Sequence, residues 1–288
     1  MNQKFPALAM ILISALGGCA SSDGADDGSA NSEQALSSAS SSVRLVYAKS
    51  EQSGCSSCIS SFGVVEVDNV APSKAVDVVY SLGDNVWHTA PATYFASPTS
   101  TRDLFSFSLS GANPQFAIRY RVAGTESWDN AKGPNYIVGV PSGESVTNPH
   151  SALGVGRDIA VTSARECSRG ELDRLCVESL VRNLSATKSV RIVYTTDEWA
   201  TTKVVDSSFV RGPAAVRQPR GRGSEIEQWR ASLPGMLAAD TVSFAVAVEQ
   251  DGKTVWDNAY DANFRCVKRQ SRLLQDWKCS GGELVPRN

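Results

Sequence analysis

The chain has 288 residues, of which 42% are hydrophobic, and 28 Lys and Arg stand against 30 Asp and Glu. This length suits two domains, and a formal net charge of −2 provides no general electrostatic attraction to nucleic acid. The two histidines, His88 and His150, cannot form a histidine-rich metal centre and leave few routes to imidazole catalysis. We therefore expect neither a metal nor a cofactor.

The N-terminus has the form of an export signal. Lys4 precedes an apolar run at residues 5–16, which is shorter than the ~20 residues of a transmembrane helix. The following Leu16-Gly-Gly-Cys19 resembles a bacterial lipobox, so residues 1–18 are predicted to be a lipoprotein signal peptide and Cys19 to be lipidated. Ordinary signal cleavage, with Cys19 left as a free thiol, is the alternative. Lipidation predicts export and anchoring to a bacterial membrane, with the outer membrane or cell surface favoured because no Asp follows the cysteine directly.

The segment after Cys19 is not expected to fold, given its composition. Residues 20–42 contain nine Ser, five Ala and no aromatic residue, so they cannot bury enough apolar surface to become ordered. As a flexible coil the segment spans roughly 25–30 Å. We interpret residues 19–42 as a lipidated tether that holds the folded part away from a membrane.

The rest of the chain contains an internal duplication. Asn69–Tyr80 matches Asn183–Tyr194 without a gap, with five identities in twelve positions. Phe116–Ala131 matches Phe244–Ala259 with seven identities in sixteen positions. Apolar residues alternate with polar ones in both copies, and turn residues separate the short runs, which is typical of a β-sandwich of about 100 residues. The predicted boundaries are 43–141 for the first sandwich, 157–267 for the second and 268–288 for a C-terminal tail.

The six cysteines after Cys19 should be oxidised in an exported protein. They form three local groups, Cys55 with Cys58, Cys167 with Cys176, and Cys266 with Cys279. Six cysteines permit fifteen pairings, so this grouping is the simplest hypothesis. The first group also has the form of a redox pair, but no βαβ pattern surrounds it, and the second group has the wrong spacing for a zinc ribbon. We expect three structural disulfides, the last of which would join the tail to the second sandwich.

An insertion distinguishes the second copy. It carries four arginines among Pro and Gly, namely Arg211, Arg217, Arg220 and Arg222. The stretch lacks the interleaved aromatic residues that stack on bases, so we interpret it as a solvated loop. Contact with an acidic partner is the alternative.

The most faithfully repeated residues are aromatic and amide side chains near turns. Trp87 and Trp199 follow polar stretches, and Trp-Asp-Asn occurs at 128–130 and again at 256–258. A flat ring beside Asn, Asp and Lys offers an apolar surface together with directional donors and acceptors, which is what a sugar ring requires. The alternative is that these tryptophans close the ends of the sandwiches.

The ordered set of repeated residues resembles family 21 of the carbohydrate-binding modules. In the first copy the resemblance lies in Asn69, Lys74, Val76, Val78, Tyr80, Trp87, Phe105, Phe107, Phe116, Ile118, Tyr120, Trp128, Asn130, Asn135 and Tyr136. In the second copy it lies in Asn183, Lys188, Val190, Ile192, Tyr194, Trp199, Trp229, Phe244, Trp256, Asn258, Asn263 and Phe264.

This resemblance implies an all-β protein of two tandem immunoglobulin-like β-sandwiches that binds α-1,4-linked glucans such as starch, glycogen and maltooligosaccharides. It also implies one aromatic site in each domain. The rings would be Trp87, Trp128 and Tyr136 in the first domain and Trp199, Trp256 and Phe264 in the second. The adjacent polar groups would be Lys74, Asn130 and Asn135, and Lys188, Asn258 and Asn263.

Two departures from the family pattern affect the expected site. A second aromatic site is matched less well, because Phe95 and Phe209 are candidates for it but Pro72 and Ala186 stand where a tyrosine is expected. The family's double asparagine is altered because an alanine follows Asn130 and Asn258. We therefore expect a single site in each domain, with one polar contact fewer.

We expect a non-catalytic, lipid-anchored protein that binds α-glucan, with a glucan-processing enzyme as a candidate partner. No Gly-x-Ser-x-Gly elbow, His-Glu-x-x-His motif or phosphate-binding glycine loop occurs in the sequence. Two sandwiches and a tether account for the whole length, so we do not expect a glycosidase. The alternative is a cell-surface adhesion or assembly module that uses the sandwiches for protein contacts.

Overall fold

The computed structural model describes residues 42–52, 59–84, 86–111, 114–139, 151–168, 173–212, 226–270 and 275–280. The predicted signal peptide, the lipidated cysteine, the tether, Cys55, Cys58 and the insertion arginines 217, 220 and 222 lie outside these residues. Within the described ranges, no helix has the length and apolar character needed to cross a membrane.

The described residues form twenty β-strands. The first ten are β1 (Val43–Gln52), β2 (Ile59–Asp68), β3 (Lys74–Ser81), β4 (His88–Pro91), β5 (Thr93–Thr99), β6 (Arg102–Ser110), β7 (Gln115–Val122), β8 (Thr125–Asp129), β9 (Tyr136–Ile137) and β10 (Ser151–Leu153). The second ten are β11 (Ile159–Glu166), β12 (Arg174–Arg182), β13 (Lys188–Thr195), β14 (Lys203–Asp206), β15 (Ser208–Arg211), β16 (Ile226–Pro234), β17 (Thr241–Gln250), β18 (Lys253–Asp257), β19 (Phe264–Gln270) and β20 (Gln275–Ser280).

These strands build two tandem β-sandwiches, which confirms the predicted all-β fold. In each sandwich we call one layer the inner sheet and the other the outer sheet. The inner sheets have the strand orders β10-β1-β2-β6-β5 and β11-β12-β16-β15. The outer sheets have the orders β4-β3-β7-β8, with β9 also paired to β7, and β14-β13-β17-β19-β20, with β18 also paired to β17.

Each sandwich has its own core between its two sheets. In the first outer sheet, Val78 of β3 lies opposite Ile118 of β7, and both side chains are fully buried. Directly opposite residues of an antiparallel pair share a face, so the period-two alternation of the sequence places a continuous apolar row inside. Ile192 and Val246 make the corresponding pair in the second sandwich.

A third apolar cluster joins the two sandwiches. Its buried members, which we call the interface cluster, are Tyr47, Val64, Leu104 and Leu153 from the first inner sheet and Ala160, Leu180 and Ile226 from the second. These residues alternate with the residues of the two cores, so they lie on the opposite face of each inner sheet. The inner sheets therefore pack against each other, a contact that the sequence did not predict.

The connection between the sandwiches is short and fixed. Strand β10 pairs with β1 and so belongs to the first inner sheet, although it lies beyond the predicted boundary at residue 141. Only residues 154–158 separate β10 from β11. A side chain at Gly154 would place its Cβ 1.8 Å from the carbonyl oxygen of Leu45, so glycine is needed for this close backbone approach. Arg182 of the second sandwich donates hydrogen bonds to the carbonyls of Gly154 and Arg157.

Two of the three expected disulfides are present among the described residues. Cys167 is bonded to Cys176, and Cys266 of β19 is bonded to Cys279 of β20. The predicted tail is therefore not a separate segment over its first part, because β20 forms the last strand of the second outer sheet.

Candidate functional site

Trp128 lies on the exposed face of the first outer sheet and is braced by charged neighbours. It is opposite Arg119, whose guanidinium lies 5.7 Å from the centre of the indole ring. Arg119 and Arg121 both donate hydrogen bonds to Asp77 of β3, at 2.9 and 2.7 Å. The indole N–H donates to Glu126 at 2.8 Å. The ring keeps 44% exposure in a fixed orientation, with its polar N–H already satisfied within the protein.

Trp256 occupies the same register position in the second outer sheet but has different neighbours. It lies on β18 opposite Ala247, where Trp128 has an arginine, and it is 46% exposed. Trp256 also lines a cleft of about 210 Å³ between the sandwiches, together with Arg44, Arg157 and Asp158. The duplication has therefore preserved an exposed indole at this position while the residues around it have changed.

Trp87 stands directly before β4, at the end of a turn held by a carboxylate. Asp84 accepts hydrogen bonds from the amide of Val86 at 3.1 Å and from the hydroxyl of Ser81 at 3.4 Å. These bonds, the Val86 amide first, lower the pKa of Asp84 below its usual value. The turn presents Trp87 with 48% exposure.

Trp199 lies in the corresponding loop of the second sandwich, which is held more firmly. Asp197 accepts hydrogen bonds from the hydroxyls of Thr195 and Thr201, at 2.7 and 2.6 Å, and from the amide of Thr201 at 2.9 Å. These bonds, led by the one from Thr195, lower the pKa of Asp197 to about 2. Trp199 has a left-handed backbone with a φ of 70°, and its side chain is only partly exposed. Backbone strain of this kind persists only where surrounding bonds impose it.

The predicted asparagines form turns rather than an open polar surface. Asn130 accepts the amide of Asn135 on its carbonyl at 2.8 Å, and its side-chain oxygen accepts the amide of Gly133 at 3.0 Å. Asn258 likewise accepts the amide of Asn263 on its carbonyl, at 2.7 Å. Both turns contain several residues with left-handed backbones, namely Ala131, Lys132 and Asn135 in the first and Ala259, Tyr260, Asp261 and Asn263 in the second.

The pairing register shows which of these features lie together. The row at the end of the first outer sheet runs from His88 to Tyr80, Phe116 and Tyr136. The Trp87 turn and the turn at 130–135 both adjoin this end of the sheet. Trp128 lies three residues along β7 from that row, which corresponds to ~10 Å of strand. The first site is therefore a sheet end with one tryptophan turn, together with a second tryptophan farther along the face.

Two predicted ring contacts need correction. Tyr136 and Phe264 are only 4% and 5% exposed. They stack on Phe116 and Phe244, with ring centres 5.4 and 5.1 Å apart, inside the two cores. Because neither ring has a face open to a ligand, their burial does not fit the predicted role of stacking on sugar.

The two predicted lysines also need correction. Lys74 is paired with Asp103 and hydrogen-bonded to Asn69, and Lys188 is paired with Glu227 at 3.2 Å. The lysine side chains are only 7% and 6% exposed. Each pair joins β3 or β13 of an outer sheet to β6 or β16 of an inner sheet. The lysines therefore tie the layers together and are not free to donate to a sugar.

The aspartate within each Trp-Asp-Asn motif has a structural role that the sequence pattern alone does not reveal. Asp129 accepts a hydrogen bond from the amide of Leu45 at 2.7 Å and another from the hydroxyl of Tyr136 at 2.9 Å. Asp257 accepts one from the amide of Val161 at 2.7 Å, and burial raises its pKa. Each aspartate thus fastens the outer sheet to the edge of the inner sheet. The signal in the sequence is the exact repetition of this aspartate between the repeated tryptophan and asparagine.

In the predicted second aromatic pair, Phe95 and Phe209, the first residue has to be replaced by its neighbour in sequence. Phe209 lies opposite Trp229, and the ring centres are 5.8 Å apart at an interplanar angle of 81°. In the first sandwich it is Tyr94 that lies opposite Phe105, at 5.8 Å and 79°. Tyr94, and not Phe95, is therefore the counterpart of Phe209, and the two rings are 52% and 55% exposed. Phe95 instead packs against the interface cluster.

Comparison with known proteins places both sandwiches in one family. The family described as carbohydrate/starch-binding module (family 21) matches residues 39–139 and 165–267. Protein phosphatase 1 regulatory subunit 3B of Xenopus tropicalis is 32% identical over 99 residues, which is 34% of this chain and 31% of that protein. The same subunit of Danio rerio is 29% identical over 103 residues, which is 35% of this chain and 33% of that protein.

These relatives are similar over one region only, since the chain spans about a third of their length. Among solved structures, the carbohydrate-binding module of the muscle glycogen-targeting subunit of protein phosphatase 1 is 28% identical and covers 31% of this chain and 73% of its own. The TM-score of 0.26 is too low to establish a structural relationship. Because the family matches both copies over more than half of the residues, the chain belongs to family 21 of the carbohydrate-binding modules.

Proposed function

We propose that this chain binds α-1,4-linked glucan without acting on it chemically, through one aromatic site in each outer sheet. The observation that carries the proposal is the recurrence of an exposed indole at the same register position, Trp128 and Trp256, in both copies. Membership of a carbohydrate- and starch-binding family supports the ligand class.

The physical basis is the cost of leaving large rings in water. Trp87, Trp128 and Trp256 each keep nearly half of their surface exposed, although their backbones are held by strands or by a bonded turn. A sugar that covers such a ring with its C–H face removes apolar surface from water while the ring loses little conformational freedom. The ring orientation at Trp128 is fixed before the ligand arrives, because Arg119 and Glu126 already hold the indole.

The expected affinity of a single site is modest. Aromatic contacts contribute roughly 0.5–1.5 kcal/mol each beyond their burial, so one site with a few of them should bind in the sub-millimolar to millimolar range. With Tyr136, Phe264 and the two lysines buried, the tryptophans supply the aromatic contacts of the proposed sites.

The test is a set of tryptophan variants measured on a short sugar and on a polymer. Trp128→Ala, Trp256→Ala and the double variant should lose one, one and both binding events for maltopentaose in calorimetry. Retention on an amylopectin gel should fall in the same order. Trp87→Ala and Trp199→Ala test the loop rings in the same way. Leu237→Ala, which removes a side chain that is 68% exposed, is the matched control and should bind like the wild type.

Two results would contradict the assignment at different levels. If the double variant folds and binds like the wild type, the sites are not at these tryptophans. If the wild-type chain ignores maltopentaose, starch and glycogen, the ligand class is wrong and the protein-contact alternative takes its place.

We also propose that the protein is exported and anchored by lipid at Cys19. The lipobox-like sequence motivates this proposal, and the bonded Cys167–Cys176 and Cys266–Cys279 pairs suit an oxidising compartment. A single acyl chain anchors only marginally, so stable attachment requires the several chains of a lipoprotein. Fractionation of a Cys19→Ser variant should move the protein from the membrane to the soluble fraction. Unchanged membrane association would contradict the proposal.

A further inference from the structure

The cleft between the two sandwiches has walls from both of them. Trp256 and Val255 of β18 line it from the second sandwich, and Arg44 of β1 lines it from the first. The linker contributes Arg157 and Asp158. The volume of about 210 Å³ is smaller than the ~300–1,000 Å³ of pockets that enclose a whole drug-sized ligand, so the cleft suits a short stretch of a longer chain.

The groups that line the cleft are accessible to a ligand. Trp256 is 46% exposed, and the side chains of Arg44 and Arg157, which we call the cleft arginines, are 41% and 23% exposed. Val155 of the linker, at the same place, is 42% exposed. An exposed indole with guanidinium groups beside it presents an apolar surface together with N–H donors, which is the combination that a sugar ring requires.

A buried carboxylate holds both cleft arginines in place. Glu66 is completely buried and accepts a hydrogen bond from Nε of Arg44 at 2.8 Å. Nη2 of the same guanidinium also donates to Glu66, and Arg157 lies 3.5 Å from this carboxylate. The bonds to Glu66 use only part of the N–H donors of the Arg44 guanidinium. The orientation of the other donors is therefore set before a ligand arrives, which lowers the entropic cost of binding.

The same carboxylate joins the two walls of the cleft. Tyr260, in the turn that follows Trp256 and β18, donates its hydroxyl hydrogen bond to Glu66 of the first sandwich. The cleft arginines reach Glu66 from the first sandwich and from the linker. A buried ion cannot exchange its partners for water without a large penalty, so the spacing between the indole and the guanidinium groups is maintained.

The first sandwich supplies an arginine to its own tryptophan, whereas the second does not. Trp128 lies opposite Arg119 within one sheet, and the guanidinium is 5.7 Å from the centre of the ring. Opposite Trp256 the second sandwich has Ala247. The guanidinium groups that share the cleft with Trp256 come instead from the first sandwich and the linker.

We infer that the cleft is a saccharide site built jointly by the two sandwiches, in which Trp256 covers the apolar face of a sugar and the cleft arginines donate to its hydroxyl groups. The ligand class rests on the proposed function, whereas the joint construction rests on the cleft itself. Because both guanidinium groups face the Glu66 carboxylate, part of their charge is already compensated, which favours a neutral hydroxyl over an anion as acceptor. The second sandwich alone therefore holds only part of its own site.

The test is an NMR titration of the whole protein with maltopentaose, in which the indole N–H signals of Trp128 and Trp256 report the two sites separately. Arg44→Ala changes only a side chain of the first sandwich. It should weaken the affinity reported by Trp256 about tenfold, because a hydrogen bond from a charged group is lost. The affinity reported by Trp128 should change by less than about twofold, as expected for an independent site.

Arg165→Ala is the matched control. The side chain of Arg165 is 43% exposed, close to the 41% of Arg44, and lies 3.5 Å from Glu178, a buried carboxylate that also faces Lys49 of the other sandwich. Arg165 does not line the cleft. The control therefore removes a half-exposed arginine from a buried interface carboxylate in the same way, and both sugar affinities should stay as in the wild type.

Each contrary result identifies which statement fails. An unchanged affinity at Trp256 in Arg44→Ala would overturn the joint site, and an equal loss in Arg165→Ala would assign the effect to the orientation of the sandwiches and overturn it as well. Competition by inorganic phosphate at the Trp256 signal would make the cleft an anion site instead. A response of Trp128 alone to maltopentaose would reject the cleft but keep the first site. If neither signal responds in the wild type, the proposed function itself is rejected, and the saccharide in the cleft with it.

Discussion

The two sandwiches share a backbone plan but use the same turn for different purposes. In the first sandwich the turn after β8 places Lys132, with a φ of 61°, in an exposed position. In the second sandwich the turn after β18 places Tyr260, with the same φ of 61°, against Glu66 of the first. The duplicated backbone conformation is therefore independent of the contact it makes. One copy leaves the turn beside its candidate site open, and the other uses it to join the two sandwiches.

The exposed faces of the two outer sheets also differ in their contacts. Trp128 is braced by Arg119, whereas Trp256 faces Ala247 and borders the cleft between the sandwiches. The features that both copies keep are the exposed indole and, beside it, an aspartate that accepts a backbone amide of the inner sheet. The features that differ are the neighbours that would set affinity, so the two sites should not be equally strong.

The largest expected effect comes from removing the buried carboxylate at the interface. Glu66→Ala removes the carboxylate that Arg44, Arg157 and the hydroxyl of Tyr260 share, while Arg102 keeps Asp68. Breaking a buried ion pair in this way costs about 3–5 kcal/mol of the free energy of unfolding. Guanidinium unfolding followed by fluorescence measures this loss. Glu126→Ala, at an exposed carboxylate, is the control and should change stability little. A loss for Glu66→Ala as small as that of the control would show that the interface does not depend on this charge.

The next largest effect is a difference in stability loss between variants of the two aspartates in the repeated motif. Asp129→Ala orphans the amide of Leu45 and the hydroxyl of Tyr136, whereas Asp257→Ala orphans the amide of Val161. A buried group without its partner costs about 1–3 kcal/mol, so the first variant should lose about that much more unfolding free energy than the second. Parallel denaturation curves measure the difference. Equal losses would contradict the extra role of the tyrosine hydroxyl.

A smaller effect is expected from removing the hydroxyl group of Tyr136. Tyr136→Phe removes one hydrogen bond to a charged group without creating a large cavity, so it should cost about 1–2 kcal/mol. The glucan affinity of the same variant should be unchanged, because the ring is in the core. Stability by denaturation and maltopentaose affinity by calorimetry check the two statements. A loss of affinity without a loss of stability would show that Tyr136 does contribute to the binding site.

The smallest expected effect is the pH dependence of the loop that Asp197 holds. The pKa of Asp197 is lowered to about 2, so its bonds stabilise the loop fully above its ordinary pKa near ~4 and are lost as the pH falls through 2. Amide exchange at Thr201, followed by NMR between pH 6 and about 2.5, should therefore show protection that persists below the ordinary pKa of aspartate. Asp197→Asn should abolish that persistence. Loss of protection already near pH ~4 in the wild type would show that the carboxylate does not hold the loop.

The predictable part of the structure was the part encoded by local periodicity and repetition. Alternation along β3 and β7 indicated the two faces of each strand, and the matched blocks indicated two copies of one sandwich. The interface was missed because Tyr47, Val64 and Leu180 stand at outward positions, and alternation alone does not say that another sheet covers them.

The errors at the candidate site have a related cause. The sequence does not reveal the pairing of Lys74 with Asp103, because the two lie 29 residues apart and only the sheet pairing brings them together. The ring of Tyr136 suggests a sugar contact, but its hydroxyl donates a hydrogen bond to the buried Asp129. The residue types show which side chains are able to contact a sugar. Which of them are exposed enough to do so depends on the long-range strand register, which the sequence does not reveal.

Strand β10 has a consequence for how the first sandwich behaves alone. It covers β1 along Tyr47–Lys49 through three residues that follow the predicted domain boundary. A fragment ending at residue 141 would leave the N–H and C=O groups of this stretch unpaired at the rim of a sheet. Such an open strand recruits a neighbouring chain, by swapping or by aggregation. The first sandwich should therefore stay monomeric in isolation only when the cut lies beyond Leu153 and the newly exposed apolar residues of the interface cluster are made polar.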